Sequence, residues 1–62
     1  GETGVVIEDL DKDLMKMGLI RVGREEWHAE TFDGSVINVG NQVEIIEIEG
    51  TRAIVKQIEK SQ

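Results

Sequence analysis

Residues 26–50, EWHAETFDGSVINVGNQVEIIEIEG, decide the fold. Successive side chains of a strand point to opposite faces, so Trp27, Ala29 and Thr31 share one face and His28, Glu30 and Phe32 the other. This reading makes 26–32 a strand and Trp27 the expected centre of the core. Asp33-Gly34 offers the positive φ angles of a type I′ turn, which predicts a tight hairpin returning the chain into Ser35-Val36-Ile37. A second turn is expected over 38–41, around Gly40. From 42 to 49 the pattern alternates at Val43 and Ile45, then jumps phase to Ile46 and Ile48. Such a jump predicts a β-bulge or sharp bend of the kind that curls a small sheet into a barrel. Gly50 ends the strand.

Outward from this stretch, Gly4, Gly18 and Gly23 divide the first half into short pieces rich in valine and isoleucine, the punctuation of an all-β barrel or sandwich. TGVVIE (3–8), LIRV (19–22) and RAIVKQI (52–58) bring the strands to five. In the last of these Ile54 and Ile58 stand four apart, as on a helix, but the Ile54-Val55 adjacency and the preceding glycine favour a strand. Between the first two strands Leu10, Leu14 and Met17 lie at i, i+4 and i+7, so a short helix or a folded loop is expected over 9–17. The predicted fold class is all-β, a small five-stranded OB-fold-like barrel forming one domain over residues 1–62.

The chain of 62 residues carries 13 acidic and 7 basic residues, a formal net charge of −6, and no cysteine. No disulfide framework or cysteine zinc site is available to so short a chain, which must rely on one economical core. No apolar run approaches the roughly 20 residues of a membrane span. The stretch itself is expected to be soluble, and its start at Gly1 rather than Met points to a piece cut from a longer chain or to what is left after removal of a tag.

Three motifs invite chemistry. Met15-Lys16-Met17 is the tripeptide around the lysine that carries biotin in biotinyl domains, so a truncated biotinyl or lipoyl-like carrier with Lys16 as attachment site is the alternative reading. Such a lysine sits at a hairpin tip between matching sets of strands, whereas one strand alone precedes Lys16. Two methionines lending flexible apolar contact beside a solvated lysine are the simpler account. Asp9, Asp11 and Asp13 imitate the opening of an EF-hand loop, but the sixth position, which needs glycine, is Leu14, and the twelfth, which needs glutamate, is Ile20. His28 is the single histidine, and Ser35 and Ser61 belong to no recognisable motif, so neither a nucleophile–base pair nor a zinc site is expected. The sequence thus predicts no enzyme, no cofactor and no metal. An OB-fold that binds nucleic acid stacks bases on aromatics along a basic groove. Here the basic residues are scattered among acids and only Phe32 remains for stacking, so nucleic acid is not an expected partner.

The ordered set Trp27-x-Ala29, Asp33-Gly34, Ile37, Gly40, Val43, Gly50 and Ile54-Val55, preceded by GVVIEDL (4–10), Gly18 and IRV (20–22), resembles the C-terminal soluble domain of NfeD-like membrane proteins. The resemblance runs from about Gly4 to Val55. The family's usual proline before the glycine matched to Gly18 is missing here, the segment from Asp11 to Met17 is longer, and Gly23 stands one residue out of place. The resemblance implies a five-stranded OB-fold barrel whose parent is an integral membrane protein, with this domain outside the bilayer on the cytoplasmic side. It also implies a role in binding or regulating a stomatin-, prohibitin- or flotillin-like membrane protein, any protease chemistry lying upstream of these residues. For the contact surface the expected residues are Leu14, Met15 and Met17, because adaptable methionines on a loop suit a partner; the alternative is that they simply cover the barrel's open end.

Overall fold

A computed structural model describes residues 2–14 and 16–58. It contains five strands, β1 (Thr3–Glu8), β2 (Gly18–Val22), β3 (Glu25–Thr31), β4 (Gln42–Glu49) and β5 (Arg52–Gln57). They close into a barrel in the order β1-β2-β3-β5-β4, with β4 returning to β1 through Thr3↔Glu44, Gly4↔Val43 and Val5↔Gln42. All pairings are antiparallel except β3 with β5, which runs parallel from His28↔Arg52 to Thr31↔Val55. The expected five-stranded OB-like barrel is what the chain builds, and each strand boundary lies within one residue of the alternation reading.

The phase jump in β4 is a bulge. Ile45 pairs with Val55 and Glu47 with Ile54, which leaves Ile46 as the extra residue. The inserted residue bends the strand and resets its alternation, as barrel closure requires. A second irregularity, between Val6 and Glu8, bends the neighbouring strand β1.

The tight hairpin at Asp33-Gly34 does not form. A type I′ turn needs positive φ at both central residues, and among the described residues only glycines have it, Gly34 with φ 80°. Asp33 instead accepts the Ser35 N–H on its own carboxylate at 3.0 Å, and Thr31 Oγ1 donates to the Ser35 carbonyl at 2.8 Å. The physical reason is closure. Both edges of β3 are already taken, by β2 and β5, so Ser35-Val36-Ile37 has no edge to return to. It crosses the end of the barrel, where Ile37 makes an isolated antiparallel bridge with Leu10.

That bridge also decides between helix and folded loop over 9–17. Leu10 N–H donates to the Ile37 carbonyl at 2.8 Å and Ile37 N–H returns the bond at 3.0 Å, which holds Leu10 extended. Asp11 Oδ1 accepts the Asp13 N–H at 2.9 Å, a local turn that competes with helix formation. The described residues of the segment, 9–14 and 16–17, form a folded loop.

The core is a column of aliphatic side chains, Val6, Leu10, Ile20, Ala29, Ile37, Val43, Ala53 and Val55. Trp27 is not its centre. It is half-buried, packed against the column beside Val22 and Ile45, and its indole N–H donates to Glu25 Oε1 at 3.1 Å. A five-stranded barrel encloses little more than branched aliphatics, and an indole with a polar N–H to satisfy sits at the mouth.

The barrel therefore has two unlike ends. At the plugged end the β1–β2 loop and the β3–β4 connection fold over the column with Leu10 and Ile37 as stoppers. The open end carries Glu2, the β2–β3 turn at Gly23-Arg24 and the β4–β5 turn at Gly50-Thr51, with Trp27 at its rim.

Candidate functional site

The plugged end is fastened by a side chain that the sequence offered for a different purpose. Asp9, first of the three alternating aspartates, accepts the Val39 N–H at 2.8 Å and ties the β1–β2 loop to the β3–β4 connection. Asp11 is occupied by its own turn, and among the described residues no cluster of His, Cys, Asp or Glu could hold a metal ion. Asp9→Ala is expected to lower stability by about 1–2 kcal/mol, the cost of losing a charge-assisted bond at a partly exposed position. Thermal unfolding followed by circular dichroism measures it, and an unchanged midpoint would show that the tie contributes nothing.

Between this loop and the end of β3 lies a groove of about 560 Å3. Its floor is Leu10, Gly18 and Ala29. One wall carries Leu14 and Met17 with Lys12 and Lys16, and the other Glu30, Thr31 and Gly34. Leu14 is 42% and Met17 39% exposed, a large fraction for apolar side chains beside an aliphatic floor. Two of the three residues expected on the contact surface therefore stand on one groove, and Met15 lies outside the described residues. The far wall comes from the end of β3, which the β2–β3 register, with Gly18 opposite Ala29, sets beside the loop.

Lys16 pairs with Glu8 at 3.2 Å across the base of the loop, both side chains exposed, so the pair adds little stability. Val43 and Val55 are buried in the column, and Gly40 and Gly50 stand in turns with positive φ. Near the groove, the hydroxyl and then the backbone N–H of Ser35 hold Asp33 below the ordinary carboxylate range. A depressed carboxylate favours the folded state above its unfolded pKa, and that small gain disappears as pH falls through the lowered value.

Residues 1–57 match the family described as the NfeD-like C-terminal, partner-binding domain. The chain belongs to that family. Two solved structures share the NfeD-like barrel. The soluble domain of a membrane protein implicated in regulation of membrane protease activity from Corynebacterium glutamicum is 32% identical, with a TM-score of 0.79 over 90% of this chain and 86% of that one. The C-terminal domain of stomatin operon partner protein 1510-C from Pyrococcus horikoshii is 33% identical, with a TM-score of 0.78 over 97% of this chain and 88% of that one. Among curated proteins none matches the chain. In the NfeD-like domain described here, no helix is long and apolar enough to cross a membrane. A partner-interaction role follows from the family.

Proposed function

We propose that this domain binds a stomatin-type membrane protein, or a prohibitin- or flotillin-like relative of one, without catalysis of its own, and that Leu14, Met15 and Met17 make the contact, Leu14 and Met17 from the wall of the groove. The observation that carries the reading is the family match over residues 1–57, supported by 33% identity to a stomatin operon partner domain. The groove fits the role because it sets adaptable apolar side chains on a loop above an apolar floor, with lysines at the rim to orient an approaching surface. The parent, in this reading, is an integral membrane protein holding the domain on the cytoplasmic side. Anchoring then raises the local concentration of a weak binder to a useful level.

A stomatin-type protein reconstituted in lipid nanodiscs, titrated with the isolated domain, tests the proposal. Saturable binding that weakens about tenfold in Leu14→Ser or Met17→Ser is expected, the usual penalty for losing an interface anchor. No binding even when the domain is tethered to the same nanodisc would overturn it. The carrier alternative has its own check. The chain closes a complete barrel by itself, with Lys16 in the β1–β2 loop rather than between two matching strand sets, so co-expression with a biotin ligase should leave its mass unchanged.

A further inference from the structure

The polar side chains lining the groove at the plugged end are Asp11, Lys12, Lys16, Glu30 and Thr31. All but one are engaged within the domain. Asp11 Oδ1 accepts the Asp13 N–H at 2.9 Å, and the Thr31 hydroxyl donates to the Ser35 carbonyl at 2.8 Å. The Lys16 ammonium pairs with Glu8 at 3.2 Å, and Glu30 pairs with Arg52 at 3.4 Å. Lys12 is the exception, with neither a hydrogen bond nor an ion pair to any of the described residues.

Lys12 belongs to the loop wall, yet its end reaches the wall opposite. A Cβ built on Gly34 would stand 3.2 Å from Lys12 Nζ, 3.7 Å from Cε and 3.9 Å from Cδ, so the outer half of the side chain lies along Gly34. The lysine therefore spans the groove, its stem laid over a residue with no side chain to displace it. An ammonium whose stem already rests on a surface gives up less rotamer freedom when it binds a ligand. Leu14 and Met17 line the same groove above Leu10 and Ala29, so an anion and an apolar side chain can be received together.

Charge decides which ligand suits this arrangement. Asp9, Asp11 and Asp13 on the loop and Asp33 beside Gly34 add to a chain whose formal net charge is −6, so a run of acidic residues would be repelled from this end. A single carboxylate that reaches Lys12 meets an unpaired ammonium at short range instead, where the local attraction exceeds the diffuse field. A basic segment would be drawn toward this end, but inside the groove it would face Lys12, with Asp11 and Glu30 already taken. The groove thus favours one acid set among apolar residues.

We propose that Lys12 determines what the groove selects, and that the groove takes a segment of a protein partner carrying one aspartate or glutamate beside a large apolar side chain. The apolar side chain packs against Leu14 and Met17, and the carboxylate meets Lys12 Nζ over Gly34. Groove walls on both sides shield such a charge-assisted bond, which makes it stronger than an ion pair in open water. This inference rests on the groove being the contact surface, as proposed above, and adds the chemistry that the contact recognises.

Titration of phosphatidylcholine nanodiscs carrying a stomatin-type protein with the domain and its lysine variants tests the proposal. Lys12→Gln is expected to weaken binding about tenfold, the usual effect of losing a charge-assisted bond in a partly covered site. Lys12→Glu is expected to abolish binding, and Lys12→Arg, which keeps the charge, to retain it. Lys16→Gln, at an ammonium that Glu8 already holds, is expected to bind as the parent domain does. Lys12 and Lys16 are exposed, so these variants are expected to keep the parent's thermal midpoint. In the complex, a carbodiimide joins an ammonium to a carboxylate only where the two touch. It is expected to form an amide between Lys12 and an aspartate or glutamate of the partner, located by mass spectrometry of the digested adduct. Equal binding of Lys12→Gln while Leu14→Ser weakens it would overturn the role of Lys12 and leave the groove as the contact surface. Tighter binding of Lys12→Glu, an equal loss in Lys16→Gln, or coupling confined to other lysines would also overturn that role. Binding that neither Leu14→Ser nor Lys12→Gln alters, or no binding at all, would remove the groove reading itself and this inference with it.

Discussion

Leu10→Ala is expected to leave much of the population unfolded at room temperature. Leu10 is 2% exposed and stops the plugged end of the barrel, and its β-bridge to Ile37 leaves the shortened side chain no freedom to collapse into the void. Removing a buried leucine costs about 2–5 kcal/mol, more where surroundings cannot relax. A chain of this length has a total stability of only about 3–9 kcal/mol. Leu14→Ala, in the same loop but 42% exposed, is expected to stay within about 0.5 kcal/mol of the parent domain. Urea unfolding of the two variants gives the comparison directly. Equal midpoints would show that Leu10 is no stopper.

Gly18→Val is the second large effect, and it arises from lack of space rather than from backbone angles. A Cβ on Gly18 would stand 2.1 Å from Leu10 Cδ2, 2.8 Å from the Asp9 carbonyl oxygen and 2.9 Å from Leu10 Cα. Leu10 lies across the start of β2, where Gly18 pairs with Ala29, so any side chain there lifts the stopper off the barrel. Overpacking of this kind costs about 1–3 kcal/mol for small additions, and a branched side chain against backbone goes beyond that range. Gly18→Ala is the gentler test. Combining it with Leu10→Ala removes the closest atom but not the Asp9 carbonyl or Leu10 Cα, so the double variant should be no more stable than Leu10→Ala alone. A stabilised double variant would mean that the leucine side chain, not the backbone, sets the limit.

What the sequence made legible was what depends on neighbours in the chain. The alternation around Ala29 and Val43 marked strands within a residue, and the step from Ile45 to Ile46 marked the bulge, because a period of two leaves no other way to place four isoleucine and valine side chains. Asp33-Gly34 misled because the same dipeptide serves a type I′ hairpin and an aspartate-capped bend. Which one forms depends on whether β3 has a free edge, and β5 removes that edge from twenty residues further along the chain. Leu10, Leu14 and Met17 show helical spacing, yet one is a core residue and two are exposed, a division set by the pairing of Leu10 with Ile37. Trp27 was placed too deep, since alternation gives the face of a side chain and not its height along the barrel. The groove at the plugged end was half visible, as Leu14 and Met17, and its opposite wall was not.

Barrel closure also fixes the order in which the domain can assemble. The turns at Gly23-Arg24 and Gly50-Thr51 join strands that pair with their immediate successors, so β2–β3 and β4–β5 can form early as local hairpins. Of the three remaining seams, β1–β2 closes across the 9–17 loop, and the other two, Thr3 with Glu44 and His28 with Arg52, join residues farther apart in the chain and bear most of the loop-closure entropy. Topologies dominated by such distant pairings fold in milliseconds to seconds rather than microseconds. Until the seams close, the isoleucine-rich β4 is an uncovered strand, and the glutamates at 44, 47 and 49 that alternate with its apolar residues are what keep two nascent chains from joining there first.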